Sequence, residues 1–143
     1  MHSALCIVQR RRCAKYKVLS MKGADEMRFE SLNVYQKSYE LALSLYKYCE
    51  TLPDDEKFGL ISQIKRASLS IPLNIAEGYG KQASKTEFNR FLSMAKGSCS
   101  EMIVLLCFLK DLGKMEENHH QKYREKYEEI EKMLYGLINS TKS

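Results

Sequence analysis

The sequence predicts an all-α protein, an antiparallel up-down-up-down four-helix bundle. Three observations carry this expectation. Apolar residues recur at spacings of three and four in four separate segments, the period of a helix with a buried face. Short polar stretches join the segments, and short connections force neighbouring helices to run antiparallel. No stretch alternates β-branched with polar residues, and no Asn-Gly hairpin signal occurs. A length of 143 residues suits one domain. A hydrophobic share of 44% beside 29% charged residues is ordinary for a soluble globular chain.

The first 27 residues stand apart. They hold six Lys/Arg and two acids, so most of the formal charge of +5 comes from them. They show no helical period. The apolar run at residues 4–8 is too short for a signal peptide, and the basic cluster Arg10–Arg12 follows that run instead of preceding it. Residues 1–27 read as a basic disordered extension, or as codons upstream of a start at Met21 or Met27. Arg10–Arg12 with Lys15 and Lys17 also fit a nucleic-acid arm. Residues 28–143 are the expected bundle domain.

Helix one is expected from Asn33 to Leu52, with Asn33 as cap and Gln36 as its reciprocal partner. Leu32, Tyr35, Tyr39, Ala42, Tyr46 and Cys49 form its expected core face. Val34, Leu41, Leu45, Tyr48 and Leu52 form a second stripe. Pro53 ends the helix, and Asp54, Asp55 and Glu56 place acids at the positive end of the next.

Helix two is expected over residues 54–79. Ile61, Ile64, Ile71 and Ile75 share one face, and Gln63, Arg66, Ser70, Asn74 and Glu77 form a polar stripe. Leu69, Leu73 and Ala76 form a further apolar patch. Pro72 lacks a donor and crowds the Ser68 carbonyl, at a cost of about 3 kcal/mol, so a kink or break is expected there. Gly78 and Gly80 are expected to end the helix in left-handed conformations.

Ser84 and Glu87 make a capping box for helix three. Phe88, Leu92, Ala95, Cys99, Met102, Leu106 and Leu109 then repeat at four and three, and Gly113 is a stop. Helix four is expected from Met115 to Asn139, with Tyr123, Tyr127, Ile130, Leu134 and Leu137 inward. Within helix three, Met102 to Leu109 is apolar without interruption. Eight residues cannot span a bilayer, which needs about 20, and a helix apolar all round is buried all round. Leu69, Leu73, Val104, Leu105 and Phe108 are therefore expected to meet another copy of the chain in a homo-oligomer.

A resemblance becomes specific at Gln63, Ile64, Arg66, Ala67, Ser70, Ile71 and Asn74 to Gly78, which follow a Q-I-x-R-A-x-x-S-I-x-x-N-I-A-E-G pattern. Phe88, Phe91, Leu92, Ala95, Gly97, Ser98 and Glu101 follow with F-x-x-F-L-x-x-A-x-G-S-x-x-E. From about Phe29 onward the chain resembles the small bacterial four-helix-bundle proteins first met inside intervening sequences of 23S ribosomal RNA genes. It is similar, more distantly, to the accessory protein of diversity-generating retroelements, a pentameric bundle that binds nucleic acid. The resemblance implies a homo-oligomeric ring of five. It also implies RNA or DNA as a partner, with a reverse transcriptase or a ribosomal component beside it.

The chemistry of the chain points away from catalysis. The five cysteines, Cys6, Cys13, Cys49, Cys99 and Cys107, are odd in number and form no C-x-x-C, which suits reduced thiols in a cytoplasmic protein. Glu116-x-x-His119 and Glu117-x-x-His120 match one unit of a di-iron bundle, but such a site needs the unit on two helices. They read as solvated charges. Gly78-x-Gly80-x-x-Ala83 imitates a dinucleotide fingerprint without the preceding strand. No cofactor and no metal is expected. Ser70, Asn74, Glu77, Ser98 and Glu101 read as a structural polar network that fixes helix register.

Positive charge gathers between Lys57 and Lys96, with seven Lys/Arg against Glu77 and Glu87. Residues 111–132 hold seven acids and five Lys/Arg. Lys65, Arg66, Lys81, Lys85 and Arg90 are the expected contacts to backbone phosphates. Arg66 shares a stripe with Glu77 and is also a candidate structural partner. The expected function is a non-enzymatic nucleic-acid-binding scaffold. The alternatives are a pure protein-interaction oligomer and a metal-dependent or small-molecule enzyme in the bundle core.

Overall fold

A computed structural model describes residues 28–53 and 59–142. The proposed extension, residues 1–27, and the acidic opening at Asp54 to Glu56 lie outside the described residues. A 3-10 turn, Phe29–Ser31, precedes four helices: α1 Asn33–Glu50, α2 Leu60–Gly80, α3 Lys85–Asp111 and α4 Glu117–Lys142. No strand occurs among the described residues.

Cross-helix contacts give the topology. Gly78 lies against Phe91, and Ser70 bonds Ser98, so α2 and α3 are antiparallel. Ser100 bonds Glu131, and Asn89 bonds Thr141, so α3 and α4 are antiparallel. Ser44 bonds Tyr123 while Lys37 pairs with Glu129, so α4 and α1 are antiparallel. Each helix packs on its sequence neighbours, and α1 also closes onto α4. Ile64, Ile71, Ile75, Leu92, Met102, Leu106, Tyr127 and Leu134 fill the shared core.

Several local expectations need correction. The cap of α1 is Leu32, with no side-chain bond, and Gln36 Nε2 instead donates to the Glu30 carbonyl at 2.8 Å. The core face of α1 is Val34, Ser38, Leu41, Ala42, Leu45 and Cys49: Ala42 and Cys49 lie on the face expected, while Val34, Leu41 and Leu45 come from the stripe expected to be secondary. Tyr35, Tyr39, Tyr46 and Tyr48 sit half-buried at its borders. A tyrosine buries its ring and keeps its hydroxyl near a polar partner; the Tyr48 hydroxyl reaches the Lys114 carbonyl at 3.3 Å. Aliphatic side chains have no such tie and take the interior.

Among the described residues α2 starts at Leu60, and residues 54–58 of the expected helix lie outside them. The helix then runs through Pro72 without a break, and Pro72 is buried. Packing on two neighbours holds the backbone where one hydrogen bond is missing. Gly78 does not end α2. It is buried within the last turn, where an added Cβ would lie 2.8 Å from Phe91 Cβ and 3.4 Å from the Phe88 carbonyl oxygen. Its missing side chain lets α2 and α3 approach closely. After Gly80, Lys81 follows with φ of −112°, so no left-handed residue closes this helix.

The ends of α3 follow the sequence more closely. Ser84 caps it by accepting from the Glu87 N–H at 3.3 Å. Gly113, with φ of 74°, ends it: Gly113 N–H donates to Lys110 O at 2.8 Å and Lys114 N–H to Leu109 O at 3.1 Å. That pair of bonds is the Schellman arrangement, which favours glycine at its left-handed position.

Candidate nucleic-acid interface

Two of the five expected phosphate contacts, Lys81 and Arg90, come together at the α2–α3 turn. The close approach at Gly78 sets Phe91, itself buried, beneath this turn. Lys81 Nζ lies 4.7 Å from the Phe91 ring centroid and Arg90 Cζ lies 4.6 Å from it. A cation over an aromatic face gains about 0.5–1 kcal/mol at an exposed site, so one ring gathers two cations. Lys85, the first residue of α3, is exposed five positions before Arg90. Glu87 pairs with Arg90 at 3.0 Å. The hydrogen bond and charge of Arg90 hold the Glu87 carboxyl below its ordinary range, and the same pairing raises Arg90. Against these two cations stand two carboxylates, Glu87 and Glu77, close enough to act on Arg90.

Lys65 and Arg66 stand elsewhere. Adjacent residues on a helix point about 100° apart. Lys65 therefore turns to α1, where its Nζ lies 5.3 Å from the Tyr46 ring centroid. Arg66 turns outward and donates to Ser62 Oγ at 3.1 Å. It borders a surface groove of about 590 Å³ lined also by Leu60, Gln63, Val104, Leu105 and Phe108.

The polar set divides as well. Ser70 Oγ donates to Ser98 Oγ at 2.7 Å, and Asn74 Nδ2 donates to the Ser70 carbonyl at 2.8 Å. The first bond ties α2 to α3, and the second lies within α2. Glu77 and Glu101 are exposed and stand outside that chain of bonds.

The residues expected to face another copy are exposed or part-exposed on α2 and α3, those of α3 forming a strip along that helix. Val104 is 66% exposed, Phe108 58%, Leu73 57% and Leu69 40%, while Leu105 is partly buried in the groove. Met94 and Leu112, which the sequence reading did not single out, extend the strip at its two ends. Their spacing from Val104 and Phe108 on the same helix was the available signal. α3 as a whole, through one apolar stretch within it, is long and apolar enough to cross a membrane by length and composition, although Met102 to Leu109 alone is not. Eight of its residues are buried among the other helices.

One expectation about the histidines is corrected. His119 is exposed, 3.7 Å from Glu116, but His120 is buried at 3% exposure. It stands one turn before Tyr123 on the stripe that continues through Tyr127, Ile130 and Leu134. Extending that stripe backward would have found it. No group of three or more His, Cys, Asp or Glu able to hold a metal occurs among the described residues.

The comparisons follow this geometry. A crystal structure of a protein of unknown function from the S23 ribosomal protein family, from Bacteroides thetaiotaomicron, is 27% identical with a TM-score of 0.69. The alignment covers 74% of this chain and 95% of that one. A comparison with curated proteins finds no match. The model of the 23S rRNA-intervening sequence protein family matches residues 30–136, well over half of the chain. The α2 and α3 patterns, the four-helix fold and this match together make the chain a member of the 23S rRNA-intervening sequence protein family.

Proposed function

We propose that this protein is a non-enzymatic, cytoplasmic oligomer that binds RNA or DNA through backbone phosphates. The observation that carries the reading is the meeting of Lys81 and Arg90 over the Phe91 ring at one end of the bundle, with Lys85 exposed at the start of α3. The family's link to ribosomal RNA genes favours RNA, with a ribosomal component or a reverse transcriptase as a further partner. One patch is weak, because Glu87 and Glu77 offset part of its charge. The exposed strip of Leu69, Leu73, Val104, Leu105 and Phe108 supplies the remedy. Docked on a second copy, it repeats the patch around a ring, which we take to be a ring of five, and weak contacts then add as avidity. Arg66 and Lys65 fall outside the patch, and Arg66 lies where a neighbouring copy would cover it.

The test is to replace Lys81, Lys85 and Arg90 by Glu, confirm the assembly by light scattering, and titrate single-stranded RNA across a salt series. Each phosphate contact contributes about 0.7 to the log–log salt slope for a single strand. Losing three flattens the slope by about 2. An unchanged affinity and slope would reject the reading. The pure protein-interaction oligomer would then stand, favoured by the exposed apolar strip and by the carboxylates within the patch.

A further inference from the structure

The three described cysteines differ in surroundings. Cys49 and Cys99 are buried. Burial pushes both thiols up, Cys99 to about 12. Cys107 alone of the three is partly exposed. It lies on α3 where α4 passes, on a different side of the helix from Val104 and Phe108. Two side chains of α4 close on its sulfur. His120 Nε2 is 3.4 Å from Sγ, and Arg124 Nη1 donates to Sγ at 3.8 Å.

The state of His120 follows from its other nitrogen. Nδ1 is buried and has no hydrogen-bond partner among the described residues. A buried bare acceptor is a smaller penalty than a buried orphan N–H, which native structures almost never leave unpaired. The ring proton is therefore assigned to Nε2, and Nε2–H points at the sulfur. An imidazole N–H and a guanidinium thus both donate to one sulfur atom. That arrangement suits a sulfur carrying negative charge. The remaining charges near the site are Glu128, which pairs with Arg124 at 2.9 Å, and Lys110, which lies 3.9 Å from both Asp111 and Glu117. Arg124 is held above its ordinary range first by the hydrogen bond and charge of Glu128, then by the charge of Cys107.

We propose that Cys107 is a reactive thiol and a site of oxidation by hydroperoxides, with His120 and Arg124 holding its thiolate. The thiol proton passes to water at the exposed side of the sulfur. The thiolate attacks the terminal peroxide oxygen, an S–O bond forms, and the O–O bond breaks. Alkoxide or hydroxide leaves and takes a proton from solvent. The sulfur is oxidised by two electrons to sulfenic acid, and the hydroperoxide is reduced to an alcohol or water. The product is reversible by thiols and lies against the α3–α4 contact.

The test uses the full chain, folded, and reads each cysteine separately by peptide mass spectrometry. Hydrogen peroxide with a dimedone-type trap reports sulfenic acid, and iodoacetamide at pH 7 reports thiolate reactivity. Cys107 is expected to alkylate about tenfold faster than glutathione, and to carry the trap adduct. Cys49 and Cys99 are expected to stay unmodified. Arg124→Gln, at a position with an exposed guanidinium, is expected to slow Cys107 at least about threefold with circular dichroism unchanged. His120→Asn is expected to slow it as well; should that variant lose helix content, Arg124→Gln decides alone. A Cys107 rate at or below that of glutathione, or one that Arg124→Gln leaves unchanged, overturns the proposal.

Discussion

Replacing Gly78 by Ala sets two known effects against each other. Alanine gains about 1 kcal/mol over glycine in a helix interior. Against this, the new methyl would lie 2.8 Å from Phe91 Cβ and 3.4 Å from both Phe88 Cδ2 and the Phe88 carbonyl oxygen. A Cβ is fixed to the backbone and cannot swing away, so α2 and α3 must separate or shear. Overpacking of this kind costs about 1–3 kcal/mol, and the upper half applies because the obstacles are a Cβ and a main-chain oxygen. The net expectation is a loss of up to about 2 kcal/mol. Gly136→Ala in α4 is the internal control, since nothing lies within 4 Å of its added methyl. It should gain about 0.5–1 kcal/mol from propensity alone. Urea unfolding at one fixed protomer concentration reads both, because an oligomer's midpoint shifts with concentration. Equal stabilisation by the two substitutions would refute the close-approach argument.

Two further outcomes are expected. Phe108→Glu puts a charge on the exposed strip and should dissociate the assembly in light scattering before it lowers the protomer's helix content; an intact assembly would show that the strip is not the contact. At alkaline pH, stability should fall from about pH 9 towards 12. Below pH 9 the Cys99 thiol is protonated in both states and its contribution is fully present. Above that, the unfolded thiol ionises while the folded one, pushed up to about 12, holds its proton. Burial raises Tyr127 in the same direction, so its phenol adds to the loss. Its buried hydroxyl has no partner, and Tyr127→Phe should therefore cost nothing at pH 7, or gain up to about 1 kcal/mol, and flatten the alkaline decline. A decline identical in the variant would refute the assignment.

Much of the fold was legible because α3 carries a clean stripe. Phe88, Leu92, Ala95, Cys99, Met102, Leu106 and Leu109 are all buried as their spacing requires. The face of α1 was misread because periodicity weighs tyrosine like leucine, while the hydroxyl pulls each ring to the border of the core. Gly78 was misread because a glycine near a helix end has two uses, conformational freedom and thinness, and sequence alone does not separate them. Phe88 and Phe91 decide it, and they belong to the next helix. The same limit applied to the candidate site. Lys65 and Arg66 are adjacent in sequence, yet one faces Tyr46 across α1 and the other borders the apolar groove. Lys81 and Arg90 are nine positions apart and meet over one ring.

That meeting ties the candidate site to the fold's tightest contact. Phe91 touches Gly78 through its Cβ and carries Lys81 and Arg90 on its ring. Any change that pushes Phe91 away from α2 moves the ring and, with it, the two cations. Lys81 follows immediately after the end of α2, and Arg90 lies in the second turn of α3, so a shear between the helices separates them directly. In this arrangement the thinness of one glycine sets both how closely two helices pack and how densely positive charge is gathered at their turn. A sequence could keep every lysine and arginine of the patch and still lose it by filling that one position.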